Sequence, residues 1–415
     1  MKTFTSRLPA AATILLILLS QSTANAFSGA GASSLTFNTS SRAEGMGGAG
    51  VGLAWDTNTN HWANPALLAF RPGIQYIHFS SNPAEGLYDD FLLTSKELTL
   101  GAYGVTLLLG TGPVDGVRLD LGEMDRTDET GISTGVFEGY MKSEHWGIGV
   151  DFVQLAEIIQ GKEPGAWTRK LSLSAGYVWK DFEDNLTYDP GQPASGEGYG
   201  TGQARDWGLL LKWTPINTGL EKDLQDGGTV AYEAGFALGY SKLNSTGDFI
   251  HHYQADQSDP FPTMHVYGGS LRFAVPLIDS KREQWNANGL GILGDVVNPL
   301  FSFTAAFQMT QPGYVWDAAL QDYKYEWDKS GSFDETGYGF EVGLANILYY
   351  RRGHKRADYY HVDDATDGFG VNLQAGRLGG ARYDWASTPN AGGLPDVTSR
   401  TWSFWVDPVA VFEVW

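Results

Sequence analysis

The sequence predicts an all-β fold: a transmembrane antiparallel β-barrel of about 14 strands with a small N-terminal plug segment. Three observations carry this. Apolar side chains recur on one parity over many short segments. The leading residues form an export signal, and the rest of the chain holds no apolar run long enough for a membrane-spanning helix.

Residues 1–26 read as a signal peptide. Lys2 and Arg7 give a positive start, Ala10 to Leu19 a short apolar run, and Ala24-Asn25-Ala26 the small-x-small pattern that a signal peptidase cuts. The apolar run falls short of the roughly 20 residues that a spanning helix needs. Cleavage would leave a mature chain starting at Phe27. The chain has no cysteine, so an exported form must rely on a large core or a closed sheet. Its 415 residues permit one large β domain. The net charge is −20, and removing Lys2 and Arg7 makes the mature chain −22, because the leader holds no Asp or Glu. That balance argues against nucleic acid as a partner, since phosphate binding needs clustered Lys and Arg. The 53 glycines and 13% aromatic residues suit a barrel with Trp and Tyr at its interfaces.

The alternation is read from successive residues. Leu171, Leu173, Ala175, Tyr177 and Trp179 share one parity, with Ser172, Ser174, Gly176 and Val178 between them. Strand side chains point alternately to opposite faces, so this segment has one apolar face and one small or polar face. The same pattern runs through 206–213, 230–240, 301–310 and 337–344. Further candidate strands lie near 73–80, 89–96, 98–110, 133–142, 145–155, 263–275, 366–378, 400–406 and 409–415. Polar stretches at 111–132, 181–205, 216–228, 244–262, 279–298, 351–365 and 380–399 read as loops. The acidic run Asp115, Asp120, Glu123, Asp125, Asp128 and Glu129 reads as a solvated external loop. A soluble sandwich or propeller would also alternate. The chain lacks a propeller-like repeat, and its second parity is mostly Gly, Ser, Thr and isolated charges, as a wet or narrow lumen requires.

Residues 27–70 form the expected plug, ahead of a barrel over 71–415. Ser41 to Gly50 is too rich in glycine for a regular element, and Asn64-Pro65-Ala66 offers an N-cap followed by proline at the first helical position. The stretch from Arg42 to Phe70, with Arg42-Ala43-Glu44-Gly45-Met46-Gly47-Gly48-Ala49 and Asn64-Pro65-Ala66, resembles the N-terminus of the PorV/PorQ family. That family is related in fold to the FadL long-chain fatty-acid transporters. The resemblance implies an outer-membrane barrel of Gram-negative type, with Arg42, Gly45, Gly47, Gly48, Asn64, Pro65 and Ala66 in a plug or gate. It also implies two alternative functions. One is passage of hydrophobic small molecules such as long-chain fatty acids. The other is a non-transporting barrel that anchors or shuttles secreted proteins, as in type IX secretion. The final Val414-Trp415 is similar to the aromatic end that the barrel assembly machinery reads.

Signatures of catalysis are weak, so neither an enzyme nor a cofactor is expected. Gly45-x-Gly47-x-x-Gly50 lacks the strand and βαβ context of a dinucleotide site. Gly131-Ile132-Ser133-Thr134-Gly135 lacks the strand–turn–helix of a nucleophile elbow. His251 and His252 with Asp256 and Asp259 read as a solvated loop rather than a metal site. Arg351, Arg352, His354, Lys355 and Arg356 read as an exposed basic turn that could meet anionic lipid headgroups or a partner. The expected partners are outer-membrane lipid, a hydrophobic ligand or a secreted protein.

Overall fold

The computed structural model describes residues 32–408 and 411. Within them it leaves out 57–60, 72, 84–90, 111–115, 128–132, 163–166, 169, 189–198, 218–230, 246–248, 253–258, 278, 289–295, 313, 318–321, 326–334, 358–361, 376–377 and 391–393. The signal peptide, the first mature residues and the terminal Val414-Trp415 lie outside the described residues.

Fourteen antiparallel strands close into one barrel. They are β1 Gly73–Ser81, β2 Leu92–Ala102, β3 in two pieces (Val105–Leu109 and Gly116–Thr127), β4 Ser133–Asp151, β5 Leu171–Tyr188, β6 Tyr199–Asn217 and β7 Glu233–Ser245. The circuit continues with β8 Met264–Val275, β9 Phe301–Pro312, β10 Glu335–Leu344, β11 Leu348–Ala357, β12 Val362–Gln374, β13 Gly379–Thr388 and β14 Val397–Val406. Closure comes from β1 against β14, in register from Ile74↔Val406 to Ser81↔Ser399. Both barrel termini therefore lie at one end, called the terminal end below; the opposite end is the distal end.

The parity read from the sequence is the parity of the wall. On β5, Leu171, Leu173 and Trp179 are exposed, whereas Ser172, Ser174 and Lys180 are buried. On β6, Leu209 and Leu211 face out and Leu210 faces in. The apolar outer face of β5 runs from Leu171 to Trp179, the length of roughly 9–11 residues that a tilted spanning strand needs. Beyond Trp179 the outward positions turn polar, at Asp181 and Glu183, while β4, β5 and β6 continue past the band.

Several loop expectations are corrected. Residues 116–127 belong to β3, 351–357 to β11 and 380–388 to β13. The stretch 279–298 contains a helix, Asp279–Asn288. Segments 89–96 and 98–110 become a hairpin turning at Tyr103 and Gly104, both at positive φ. The described ladder ends at Val406; of the expected strand over 409–415 only Val411 is described, its N donating to Asp407 O, and the rest lies outside the described residues. The basic run at 351–356 is a strand rather than a turn, so its residues alternate, with Arg351 wholly buried and Arg352 exposed.

An arginine placed at mid-band on the outer face should cost about 2–4 kcal/mol if lipid covers it. We expect this of Leu209→Arg, read from urea-induced unfolding of the barrel refolded in phospholipid vesicles. An unchanged midpoint would mean that the outer face is not in lipid.

Candidate functional site

The inside of the barrel holds the chain's own residues 32–56 and 61–71. Contacts of this segment run around the wall: Ser41 meets β14, Gly45 β12, Gly47 β11 and β10, Gly52 β8, Asn64 β6 and β7, Pro65 β5, Leu68 β4, and Arg71 β3 and β2. Backbone lies so close to the inward glycines of the wall that a Cβ on Gly176 would stand 2.1 Å from Pro65 O. One on Gly337 would stand 1.8 Å from Gly47 O. The small second parity of the strands is therefore the space in which the segment lies.

The motif residues have local reasons. Ser40 caps the short helix Ser41–Glu44, its side chain accepting from Ala43 N. Gly47 and Gly48 follow at φ +75 and +82, a region that favours glycine, and they turn the chain along β10 and β11. Asn64 caps the 3-10 helix Pro65–Phe70, with Oδ1 accepting from Ala66 N at 3.0 Å. Its Nδ2 donates to Val51 O and Leu209 O, both at 3.1 Å, so one buried amide ties two parts of the segment to β6. Pro65, which has no N–H to satisfy, fits the first helical position. Ala66 packs with Ala54, Trp55, Leu67, Leu210 and Ala237. Gly45 lies against Gly368 of β12, where a Cβ would be 3.1 Å from Gly368 Cα.

Arg42 is the centre of a buried charge network. It binds Glu341 of β10 through Nε and a second guanidinium nitrogen, at 3.1 and 2.7 Å, and contacts Asp56 at 2.8 Å. Arg351 of β11 joins Glu341 at 2.7 Å and Asp384 of β13 at 2.6 Å. Arg382 of β13 reaches Asp384 at 2.8 Å and Asp56 at 2.6 Å. Three arginines face three carboxylates, so the cluster is formally neutral. The two ends of its bonding come from different places: Arg42 and Asp56 belong to the inner segment, and the other four residues to the wall. Glu44, next to Ala43 in the same turn, is also buried; burial holds its carboxyl above the usual carboxylate range despite the opposing pull of Lys355.

A second polar cluster lies across β2 and β4 to β7. Glu97 accepts from Arg71 at 2.6 Å and from Trp62 Nε1 at 2.5 Å, with His61 Nδ1 at 3.2 Å. Burial pushes the His61 imidazole down, against the pull of Glu97. The Trp62 ring rests 4.2 Å from that of His145, and the Lys180 ammonium lies 5.3 Å from the Trp62 ring. Lys180 bonds Asp206 at 2.7 Å and Asn244 at 2.8 Å; Asn244 in turn donates to Leu35 O. Glu97 sits where β3 steps out of the ladder, between the pairs Leu98↔Leu109 and Lys96↔Gly116.

Around this polar cluster, two apolar clusters line the distal lumen. Leu35 packs with Phe182, Ala204, Ile250 and Phe261, while Trp62 and Phe37 pack with Phe79, Leu93, Val117 and Leu119. Water-filled barrels have polar interiors, so this lining is a departure that asks for an explanation.

Sequence reading located Arg42, the glycines and Asn64-Pro65-Ala66 but missed their partners Asp56, Glu341, Arg351, Arg382 and Asp384. It also missed the second cluster. Inward parity on 348–357 and 379–388 would have marked Arg351, Arg382 and Asp384. Ser133 begins β4, and the rest of its glycine-flanked motif is only partly described. Ser143 Oγ and His145 Nε2 are 2.8 Å apart, but among the described residues His145 Nδ1 meets no hydrogen-bond partner that could orient the ring for acyl transfer. His251 lies on the short strand Phe249–His252, Asp259 on the two-residue strand Asp259–Pro260, and Asp256 outside the described residues. Among the described residues no three His, Asp or Glu side chains could hold a metal ion.

Removing one partner of a buried ion pair typically costs about 3–5 kcal/mol, because the other charge is left uncompensated. Arg42→Met is expected to cost the barrel that much in urea-induced unfolding, with Arg352→Met on the outer face within about 0.5 kcal/mol of the unchanged protein. Equal effects of the two would mean that Arg42 does not hold the segment.

No protein-family model and no curated protein matches this chain. Among solved structures the chain is similar to the toluene transporter TbuX of Ralstonia pickettii, at 11% identity and TM-score 0.36 over 89% of this chain and 97% of that one. It is similar to a deletion mutant of the monoaromatic hydrocarbon channel TodX, at 10% identity and TM-score 0.40 over 88% and 98%. An outer membrane channel from Pseudomonas putida F1 aligns at 8% identity and TM-score 0.31 over 80% and 93%. At these identities and scores the likeness carries no functional inference.

Proposed function

We propose that the protein is an outer-membrane barrel of a Gram-negative-type bacterium that passes small hydrophobic molecules, with residues 32–71 as its plug. The observation that carries this is the pair of apolar clusters in the distal lumen, in which Leu35, Phe37 and Trp62 of the inner segment fill the space between Phe79, Leu93, Leu119, Phe182 and Phe261. An apolar molecule entering there would cover the surfaces those side chains cover now, at a gain of about 25 cal/mol per Å² of apolar area kept from water. Arg42, Gly45, Gly47, Gly48, Asn64, Pro65 and Ala66 act as the anchors that must be released or slid for passage. Long-chain fatty acids and small aromatic hydrocarbons are the two cargo classes of suitable chemistry. Kinship to the PorV/PorQ family, read from residues 42–70, belongs to the same reading.

A second reading, in which the barrel anchors or shuttles a secreted protein, draws on β4, β5 and β6. Their polar continuation past the apolar band offers a wall on which a partner could dock.

The absence of cysteine allows a direct test. Thr401 Oγ1 and Ser41 Oγ are 2.9 Å apart, so the double substitution Ser41→Cys, Thr401→Cys should form a disulfide between plug and wall. Cells expressing the unchanged protein are expected to take up radiolabelled oleate or toluene faster than cells without it. The oxidised double variant should lose at least tenfold of that gain and recover it on reduction. Uptake by the locked form equal to that of the reduced form would sink the moving plug. No gain with either cargo, together with a stoichiometric co-purifying protein, would replace passage by the anchoring role.

A further inference from the structure

At the terminal end, between β4 and β5, a helix from Phe152 to Ile159 leaves the wall and is followed by a chain that returns at Leu171. We infer that this helix, with Lys162 and Trp167 beside it, forms a lipid anchor, lying in the headgroup–acyl boundary of the leaflet at the terminal end. The inference rests on the reading of the barrel as membrane-embedded and adds a lipid-binding surface outside the spanning band.

Continuity with the band is the first argument. Phe152 continues the outward parity of Trp146, Ile148 and Val150 on β4, and Leu171 opens the outward parity of β5. The helix is thus bracketed at both ends by residues of the apolar face. Ile159 lies seven residues after Phe152, two helical turns on and so on the same side. It is 77% exposed, the largest exposure among the exposed large hydrophobic residues described.

Rigidity is the second. The Asp151 carboxylate accepts from Val153 N and Gln154 N at the helix start and from the Ser172 hydroxyl. Glu157, on the opposite side from Ile159 and fully buried, accepts from Trp167 N, Thr168 N and Thr168 Oγ1. Two buried carboxylates thus tie the helix to Trp167, Thr168 and Ser172. Ile159 is presented to the outside by a built structure, not by a frayed end.

Composition is the third. Residues 152–170 carry Lys162, Arg169 and Lys170 against Glu157 and Glu163, a net +1 in a chain of net −20. The Lys162 ammonium stands 3.4 Å from the centre of the Trp167 ring. Tryptophan and lysine beside an apolar helix face are the pairing found at the headgroup level, where lipid phosphate meets acyl chain. A protein partner would not require the apolar face to be continuous with the lipid-facing band.

The test uses the full chain, refolded in phosphatidylcholine–phosphatidylglycerol vesicles, with single cysteines I159C, L173C and Q203C carrying an environment-sensitive NBD label. All three sites are exposed, so each variant should keep the fold. The label at 159 is expected to be quenched by lipids brominated near the head of the acyl chain, to within twofold of the label at 173. The label at 203 should be quenched only by aqueous iodide. If 159 follows 203, the helix lies in water and the anchor is wrong while the embedded barrel stands. If 173 also follows 203, the membrane reading falls and the anchor with it.

Discussion

Everything inside this barrel depends on one constraint: a chain that lies in the lumen without joining the sheet must still satisfy its backbone polar groups. Irregular backbone at membrane depth is tolerated only where protein or trapped water meets its N–H and C=O groups. Here the wall supplies partners from its inward side chains. Gln308 Oε1 accepts from both Gly50 N and Val51 N, and Thr366 Oγ1 from Gly47 N. Ser241, Ser270 and Thr106 donate to Ala63 O, Gly52 O and Arg71 O. The same positions explain the bare glycines of the wall, because a side chain there would occupy the volume of the backbone being satisfied.

The charge network serves position more than stability. Three arginines and three carboxylates taken from water lose solvation that their mutual attraction only about restores, and apolar residues of similar volume often hold a fold better. What such a network does supply is register. Arg42 can meet Glu341 and Asp56 together in one placement of the segment, and Arg382 reaches the same Asp56 from the wall. Apolar contacts alone, as between Leu67, Leu210 and Ala237, are non-directional and would tolerate sliding.

The fold was legible wherever the outer face is apolar and the lumen small. Segments such as 171–179 and 301–309 show that contrast directly. It fades where either face changes character. On β3 past Gly116, the inward Val117 and Leu119 are apolar while the outward Arg118 and Asp120 are charged, so the alternation is inverted and reads as a polar loop. On β11 only Leu348 and Tyr350 lie in the band; beyond them Arg352 and His354 face outward as Arg351 faces inward, and a strand charged on both faces looks like an exposed turn. The site divides the same way. Asn64-Pro65-Ala66 was legible because capping is local, over two residues. The bond from Arg42 to Glu341 spans 299 positions, and nothing in either residue's neighbours points to the other.

Two kinds of contact hold the segment, and they respond differently to an apolar guest. Gln308 and Thr366, which accept from backbone N–H groups, and Ser270, which donates to Gly52 O, fix the backbone in the region of Gly45 to Trp55, where the wall is lined by glycine and charge. Leu35 and Phe37 meet mainly apolar walls in the distal half, whereas Trp62, packed on Phe79 and Leu93, also donates to Glu97. Breaking the first set leaves buried polar groups unpaired, at about 1–3 kcal/mol each. Replacing the second set by another apolar body exchanges like for like. In the proposed passage, the stretch about Leu35 and Phe37 would therefore yield first, while the glycine-bound part and the residues tied to Glu97 would hold longer, which places the resistance to flow near the two polar clusters and not at the mouth.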